Sequence, residues 1–517
     1  MQSLLTGQKV YAICDPSHMV KNCRNLLAKY GTLYWPNKGY VKWAYLVAVH
    51  ELQEDCGVRF GNKLTTRHIN FEKSKMNVRL AVQAIASNST AQTLRWAHEN
   101  ELEGFESSDV LVTAEFLENH DKVFDLLNSK SKFGKGFKAA LSADNFQRAS
   151  EQFKDFISMY ECLETIVPAR KRRKDAKKAK RRKVKKIKWT KVIHSPRKTG
   201  PLGLIATIKS ICGLYDDMKS GKLDLQYLCT YKLSQDHLEH FFAAIRSANG
   251  WCYNPSPQQF RWAFRKLLFH CGKTILASVT GNCLPQDLTT MISVGQYLPQ
   301  NSASMLSAPG NDCLENSIPR GSGSQESSIN VQMPEPEICD RGCGVDACLM
   351  CSSTLSYISG FFAYSLTKSR IKCKQCIVAL FDNTMDPCDN KSLIDAKNYV
   401  KDVPGVGLKY PSGSLCRLVF YVEKVFRKNI HLLSDKNYVK KMMISVMSSI
   451  SHSSFFPSLA SDHAFETQQL SDNHVTALVR LVSEKYINLR TEKVLKDRAD
   501  SNKVGNHIHR TRIFLHL

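Results

Sequence analysis

The chain has 517 residues, with 72 Lys and Arg against 47 Asp and Glu, and a formal net charge of +25. Its hydrophobic fraction of 43% and charged fraction of 23% are typical of globular proteins and exclude a wholly disordered, collagenous or coiled-coil chain. No stretch approaches the roughly 18–20 unbroken apolar residues of a membrane span, and the first residues lack the layout of a signal peptide. We therefore expect the 18 Cys to be reduced thiols, metal ligands or core residues rather than disulfides.

The first predicted element is a strand at residues 9–14 (KVYAIC), whose apolar and β-branched residues favour an extended backbone. It ends at Asp15, followed by Pro16, which predicts a helix N-cap with proline in the first helical position. A helix is predicted over residues 18–30. Asp15 has two interpretations: it caps this helix, or it is a ligand-binding carboxylate at the end of a strand, where open α/β sheets place their ligands.

Helical periodicity dominates residues 40–168, with helices predicted from Lys75, Ser108 and Asn145. The second of these helices ends in the sequence FDLLNS, residues 124–129. A carboxylate there can accept hydrogen bonds from a guanine edge, and an amide can pair with the guanine carbonyl group. No Walker-type phosphate loop exists in this region, so the alternative is a helix end with a polar cap.

Charge is concentrated in residues 170–188, the basic segment, which contains 14 Lys and Arg and a single acid, Asp175. Such a run cannot form a core, so we expect it to be solvated or to order on a polyanion. The functional interpretation is a nuclear localisation signal or a strip that binds DNA phosphates. The alternative is a solubilising linker.

Beyond the basic segment, two helices are predicted within residues 201–228 and one each over 233–248 and 258–270. In the third of these, the helical spacing predicts one buried stripe formed by Leu238, Phe241, Phe242 and Ile245. Asp236 and Glu239 share one side of that helix. They are either Mg²⁺-binding carboxylates, since hard oxygen ligands suit phosphoryl transfer, or first-turn acids favoured by the helix dipole.

Residues 296–337 are rich in Ser, Pro, Gly, Asn and Gln and predict a flexible linker. Paired C-x2-C units about 20 residues apart then suit a structural Zn²⁺ site, with free thiols as the alternative. The best four ligands are Cys348, Cys351, Cys373 and Cys376. A terminal helix is predicted, with one apolar face formed by Val475, Leu478, Val479, Val482 and Tyr486.

Several segments together resemble the P-element-type transposases that carry an N-terminal THAP domain. These are CDPSHMVKNCRNLL, INFEKSKMNVRLAVQAI, the block around FDLLNS, and TGPLGLIATIKSICGLYDDM followed by TYKLSQDHLEHFFAAIRSANGWCYNPSPQQFRWAFRKLL. YISGFFAYSL, GLKYPSGSLCRLVFYVEKVFR and HVTALVRLVSEKYINLR resemble the C-terminal region of that family. The resemblance covers most of the chain outside the basic segment and the linker.

The resemblance implies an α/β plus mostly α fold: a partial RNase H-like catalytic domain, interrupted by a helical GTP-binding insertion domain, then a Cys-rich, mainly helical C-terminal region. The implied boundaries are residues 1–40 and 226–295 for the two parts of the core, 41–225 for the insertion with its basic tract at 170–191, 296–337 for the linker and 338–517 for the C-terminal region.

The resemblance also implies a chemistry, Mg²⁺-dependent cleavage and joining of DNA in the nucleus, with GTP as a further ligand. Asp15 matches the second catalytic carboxylate of the family and Glu239 the last, with Asp236 as its neighbour. The guanine-contacting pair matches Asp125 and Asn128. Phe124 next to that pair, and Lys63 and Lys75 as phosphate contacts, complete the implied nucleotide site. Self-association on DNA ends is also implied.

Two departures from the family pattern shape the expectation. The family's first catalytic Asp lies on the opening strand of the RNase H-like sheet, two strands further upstream, whereas only 14 residues precede Asp15. The C2CH pattern of the THAP finger is not found among Cys14, Cys23 and Cys56. We therefore expect a truncated copy with impaired catalysis. The alternatives are a domesticated nuclear factor that binds DNA or protein, and a GTP-dependent assembly module.

Overall fold

The computed structural model describes residues 9–60, 62–166, 189–248, 250, 252, 254–269, 349–369, 371, 373–381, 391–398, 408–434, 437–448, 455–456, 459 and 474–514. It is mostly helical with one small sheet. By its internal contacts the chain divides into a larger unit, Met1–Ser234 with Cys339–Leu517, and a smaller unit, Gln235–Ile338. The basic segment, the predicted linker and Cys348 lie outside the described residues.

The larger unit begins with eight helices: α1 Pro16–Tyr30, α2 Ala44–Cys56, α3 Thr66–Ile69, α4 Val78–Ile85, α5 Asn88–Glu99, α6 Asp109–Leu127, α7 Phe146–Cys162 and α8 Thr199–Lys219. The smaller unit contains α9 Asp236–Ala248 and α10 Pro257–Phe269. The larger unit continues with α11 Leu349–Ser369, α12 Lys374–Leu380, α13 Ser392–Lys397, α14 Gly413–Lys428, α15 Tyr438–Ser448 and α16 His474–Phe514. In the parts of the chain that are described, no helix combines the length and apolar character needed to cross a bilayer.

A four-stranded antiparallel sheet lies in the larger unit, with strands β1 Thr32–Trp35, β2 Gly39–Lys42, β3 Glu164–Ile166 and β4 Trp189–Lys191 in the order β2-β1-β3-β4. One face of this sheet is buried through Leu33, Val41 and Thr165, each with no exposed surface. The sequence analysis missed the sheet: it interpreted residues 40–168 as mostly helical and predicted no element at residues 32–35 or 189–191. Its strands have only three or four residues each, too few for a period of two to stand out.

The predicted strand at residues 9–14 is wrong, because only Lys9 forms a β-bridge and Val10–Asp15 are in no regular element. The side chains of α8 take the place of a neighbouring strand. Ala12 N donates to Ser210 Oγ at 3.1 Å, and that hydroxyl donates back to Ala12 O at 2.8 Å. Thr207 Oγ1 does the same for the backbone of Cys14, at 2.9 and 3.0 Å. Two hydroxyl groups three residues apart on a helix thus satisfy the edge of an extended segment.

Helix α1 packs closely against α8 because glycine opens the contact. A Cβ atom built at Gly200 would lie 2.9 Å from both the backbone nitrogen and the Sγ of Cys23, which is fully buried. Real Cβ atoms do not approach backbone nitrogen this closely, so residue 200 has to lack a side chain. The second helix predicted within residues 201–228 does not form: α8 ends at Lys219, and Leu228 pairs with Leu141 in an isolated bridge.

The C-terminal helices pack on the helices that follow Asp15 in sequence. Glu423 of α14 is fully buried and receives a hydrogen bond from Tyr486 at 2.7 Å. Arg490 of α16 donates to both carboxylate oxygens of Glu423, at 2.8 and 3.0 Å, and its Nη1 donates to Gly57 O at the end of α2, at 2.8 Å. Arg427 donates to Glu423 Oε1 at 2.8 Å and to Cys56 O at 2.9 Å. One buried carboxylate thereby joins α14 and α16 to α2.

A second contact joins α13 to α5. Trp96 donates its indole N–H to Ser392 Oγ at 2.8 Å. The buried ammonium of Lys397 donates to Ser89 O and to Thr93 Oγ1, both at 3.0 Å. Burial lowers the pKa of Lys397 to about 7, because desolvation disfavours the charged ammonium.

Candidate functional site

Asp15 is the N-cap of α1, as one of its two sequence interpretations predicted. Its Oδ1 accepts from Ser17 N at 2.8 Å and from His18 N at 3.4 Å, and Pro16 occupies the first helical position. The residue is only 4% exposed. Its other oxygen, Oδ2, is buried and has no hydrogen-bond partner within the described parts of the chain. Capping therefore uses one oxygen of this carboxylate and does not involve the second.

The position of Asp15 is set from both sides. On its C-terminal side, α1 begins at once, and the capping bonds fix the carboxylate over the first turn. On its N-terminal side, Thr207 holds the backbone of Cys14 through two hydrogen bonds. The side chain is thus fixed before any ligand binds, which is a requirement for a catalytic group.

Asp236 and Glu239 lie in the first turn of α9, in the smaller unit. Asp236 has no exposed surface and Glu239 is half-buried. The predicted apolar stripe on this helix is wrong in part, since Leu238 is 58% exposed and Phe242 46%. The buried residues of α9 are Asp236, His240, Ala243, Ala244 and Ile245. Small and polar residues therefore occupy the inner face, and Asp236 belongs to that face rather than to the solvent side.

Asp125 lies in the last turn of α6, one helical turn after Asp121. Desolvation, and then the negative charge of Asp121, raise the pKa of Asp125 to about 7, and Lys138 opposes this rise. The Lys138 ammonium is 3.9 Å from Asp125 Oδ2. Burial also raises the pKa of Asp121, although the backbone of Asn88 donates to it. Two carboxyl groups with raised pKa values on one helix face are typical of a functional site.

The other predicted nucleotide residues divide into three groups. Asn128 is the C-cap of α6, directly beyond Asp125, and its N–H donates to Asp125 O at 3.3 Å. Phe124 is buried, at 6% exposure, and so packs in the interior. Lys63 is exposed, and Lys75 forms an ion pair with Glu72.

The cation beside Asp125 is Lys138, which the sequence analysis missed along with Asp121. For Asp121 a signal existed, because a spacing of four residues places two acids on the same face of a helix. For Lys138 there was none, because the loop that returns it to α6 has no regular period.

Of the four predicted zinc ligands, the described residues include Cys351, Cys373 and Cys376. Cys351 is buried in α11, where Arg427 Nη2 lies 3.8 Å from its sulfur. Cys373 precedes α12, and burial raises the pKa of Cys376 in that helix to about 12. Cys348 lies outside the described residues. Within the described ranges, no group of three or more His, Cys, Asp or Glu is arranged to hold a metal ion.

Three family models match parts of the chain. The TNP-like GTP-binding insertion domain matches residues 17–140, which contain Asp125 and Asn128. The TNP-like RNase H C-terminal domain matches residues 231–265, which contain Asp236 and Glu239. The C-terminal domain of DNA transposase THAP9 matches residues 347–496, which contain Glu423 and Lys397.

Two curated proteins are similar to the chain. DNA transposase THAP9 of Homo sapiens is 22% identical over 521 residues, which cover 98% of this chain and 51% of that protein. Transposable element P transposase of Drosophila melanogaster is 27% identical over 290 residues, covering 55% of this chain and 34% of that protein. The chain therefore spans about half the length of the first relative and a third of the second.

Among solved structures, the Drosophila P element transposase strand transfer complex is 23% identical to the chain, with a TM-score of 0.37, and the match covers 50% of this chain and 51% of that one. Both curated relatives are transposases by name, and the C-terminal family model carries the name of the first of them. By these matches the chain is similar to the P-element-type transposases.

Proposed function

We propose that the chain takes part in Mg²⁺-dependent cleavage and joining of DNA, with Asp15, Asp236 and Glu239 as its metal-binding carboxylates. The observation that carries the proposal is the buried Oδ2 of Asp15, which lacks a hydrogen-bond partner within the described residues. A buried charged oxygen without a donor is costly, and a hard cation is the ligand that carboxylate oxygens prefer. Mg²⁺, when bound, would neutralise phosphate charge and activate the attacking hydroxyl group.

The chain's own contribution in this proposal is positioning. Asp15 presents one oxygen while its other oxygen caps α1, so its orientation does not depend on the ligand. Asp236 is buried on the inner face of α9, and Glu239 lies one turn further along that helix.

The test is nicking of a supercoiled plasmid by the purified full chain, with and without MgCl₂. We expect Asp15→Asn and Glu239→Gln to abolish Mg²⁺-dependent nicking. Asn caps helices about as well as Asp, so Asp15→Asn removes the charge and keeps the fold. The matched control is Asp224→Asn, an exposed carboxylate of the same unit as Asp15. Nicking at the wild-type rate by Asp15→Asn would refute the assignment.

We further propose that Asp125 and Asn128 bind the guanine base of GTP. A carboxylate that accepts from guanine has to be ionised, and Asp125 has a pKa of about 7. The ionised fraction then changes about tenfold between pH 6 and pH 8, so the affinity for GTP should rise about tenfold over that range. Lys138→Met removes the cation that opposes the raised pKa and should move the whole profile to higher pH.

The measurement is a titration with a fluorescent GTP analogue at pH 6, 7 and 8, with ATP as competitor. Asp125→Asn should lower the affinity, and the residual binding should no longer depend on pH. A flat wild-type profile, or equal binding of GTP by Asp125→Asn, would show that the guanine contact lies elsewhere.

We also propose that the protein acts in the nucleus, as the DNA-directed family and the basic segment suggest. A fluorescent fusion should accumulate in the nucleus, and deletion of residues 170–188 should spread it through the cell. Unchanged nuclear accumulation of the deletion variant would show that the basic segment is not the targeting signal.

A further inference from the structure

The outward face of the four-stranded sheet carries a cluster of three aromatic rings. Tyr34 and Tyr40 are register partners on β1 and β2, and their ring centroids are 5.2 Å apart. Trp189 on β4 lies 5.6 Å from Tyr34 and 6.4 Å from Tyr40. Trp189 is 37% exposed and Tyr40 38%, although Leu33, Val41 and Thr165 on the opposite face have no exposed surface. The cluster therefore presents aromatic surface to solvent.

Cross-strand aromatic pairs also stabilise small sheets, so the rings have a structural role in any case. That structural role needs two rings in contact. It does not require a further ring on another strand, Trp189, that is 37% exposed. Ile166, the register partner of Trp189, shares the outward face and is 41% exposed. The face is thus a continuous platform of flat and apolar groups rather than one buried pair.

The charges around the platform are balanced. Lys42 lies 5.7 Å from the centroid of the Tyr40 ring, and its ammonium is 2.7 Å from Asp109. Lys191 and Glu164 are register partners on β4 and β3. Lys38 is paired with Glu115 at the β1–β2 turn. The described platform alone therefore has no strong preference between anions and cations.

The sequence that connects β3 to β4 is strongly positive and therefore favours an anionic ligand. β3 ends at Ile166 and β4 begins at Trp189, and these two residues face each other across the strands. The intervening chain includes the basic segment, with 14 Lys and Arg and one acid. A run with about half the net charge of the chain therefore lies, in sequence, between two register partners of the sheet, Ile166 and Trp189.

We propose that Tyr34, Tyr40 and Trp189 form a stacking platform for the bases of single-stranded DNA. Rings on an exposed sheet face bind bases that are not already stacked in a duplex. The choice of DNA over RNA rests on the proposed function. The site is the three rings, and the basic segment is the reason that a polyanion is the ligand.

The first experiment measures binding of a fluorescent dT20 oligonucleotide to the full chain, in EDTA and without GTP. Removing stacking rings weakens single-strand binding on the order of tenfold per ring. We expect Tyr40→Ala combined with Trp189→Ala to weaken dT20 binding by about 100-fold, and Trp189→Phe alone to stay within about threefold of wild type, because a ring remains. The matched control is Phe133→Ala, which removes an exposed aromatic ring of the same unit outside the sheet and should leave binding unchanged.

Three results would overturn the proposal: wild-type affinity in the double variant, tighter binding of a blunt 20-base-pair duplex than of dT20, and tighter binding of rU20 than of dT20. The assay contains no divalent metal, so its outcome is separate from the proposed catalysis. A chain that fails to nick plasmid can still bind dT20 through the rings, and an active chain can lack this site.

A second measurement uses the wild-type protein and does not depend on how a variant folds. An oligonucleotide with 5-iodouracil in place of thymine is crosslinked by ultraviolet light, and the modified peptides are mapped. Crosslinks at Tyr34, Tyr40 or Trp189 are expected. Crosslinks confined to other segments would assign single-strand binding to those segments and refute the platform.

Discussion

Substitution of Glu423 by Gln tests how the C-terminal helices are held. The carboxylate has no exposed surface and accepts four hydrogen bonds. Oε2 accepts hydrogen bonds from Tyr486 Oη and Arg490 Nε, and Oε1 accepts them from Arg490 Nη2 and Arg427 Nε. Glutamine keeps the shape but replaces one oxygen by an amide NH₂ group, which meets a donor of Arg490 whichever way the amide turns.

The magnitude follows from the charges that remain. Arg490 is buried and Arg427 half-buried, and Glu423 is the carboxylate that offsets both. Removing one partner from a buried ion pair costs about 3–5 kcal/mol, because the remaining charge stays desolvated. Arg490 and Arg427 also donate to Gly57 O and Cys56 O, so the loss loosens the contact with α2 as well.

The assay is urea unfolding followed by circular dichroism, together with limited proteolysis of the native protein. Glu423→Gln should lower the unfolding midpoint and expose cleavage sites in α14 or α16 first, since these helices lose their link to α2. Glu484→Gln, a half-buried acid on α16, is the control and should stay within about 0.5 kcal/mol of wild type. A Glu423→Gln protein within about 1 kcal/mol of wild type would refute this account of the buried network.

Three further predictions concern the interior. Burial lowers the pKa of His120 to about 4, so in mildly acidic solution the unfolded chain takes up a proton that the folded chain does not. The free energy of unfolding should therefore fall by about 3 kcal/mol from pH 7 to pH 4. His120→Gln, which can still pair with Tyr160, should make the melting temperature less dependent on pH in this range. Lys397 has its pKa lowered to about 7, so stability should rise by about 2 kcal/mol between pH 7 and pH 9, and a Lys397→Met protein with the same rise would contradict this. Gly200→Ala forces a Cβ against Cys23 and should cost about 1–3 kcal/mol in chemical denaturation, whereas an unchanged midpoint would mean that α1 and α8 can separate freely.

The long helices could be predicted from the sequence because their apolar residues repeat with the helical period. The terminal helix is the clearest case, since Val475, Leu478, Val479, Val482 and Tyr486 are all buried as one face. The start of α1 was also predictable, because Asp15 and Pro16 give the chemistry of a helix N-terminus.

The strand predicted at residues 9–14 and the apolar stripe predicted on α9 are wrong for the same reason. What a residue contacts in the folded chain depends on its tertiary partners and not on its own polarity alone. Residues 9–14 have strand composition, but hydroxyl groups of Ser210 and Thr207 satisfy their backbone, and no ladder forms on that side. On α9, Ala243 and Ala244 are buried while Leu238 is exposed. Local sequence fixes the period of an element, and tertiary contacts decide which side of it faces inward.

For the candidate sites, the sequence indicated the residues and the structure supplied their surroundings. Asp15 and Asp125 were found from residue type and resemblance, but their environments came only from the structure. The burial of the second oxygen of Asp15 and the desolvation that raises the pKa of Asp125 both depend on how the folded chain packs around these side chains. Trp189 escaped notice because three short strands had to bring it beside Tyr34 and Tyr40.

The hydroxyl contacts of α8 also set an order of events during synthesis. Cys14 and Thr207 are separated by 193 positions. At roughly 5–20 residues per second, about 10–40 s pass between the emergence of the segment before Asp15 and the emergence of the helix that holds it. During that interval the flank of the candidate catalytic carboxylate has no partner to fix it, so this corner of the protein is completed only after the whole intervening domain has left the ribosome.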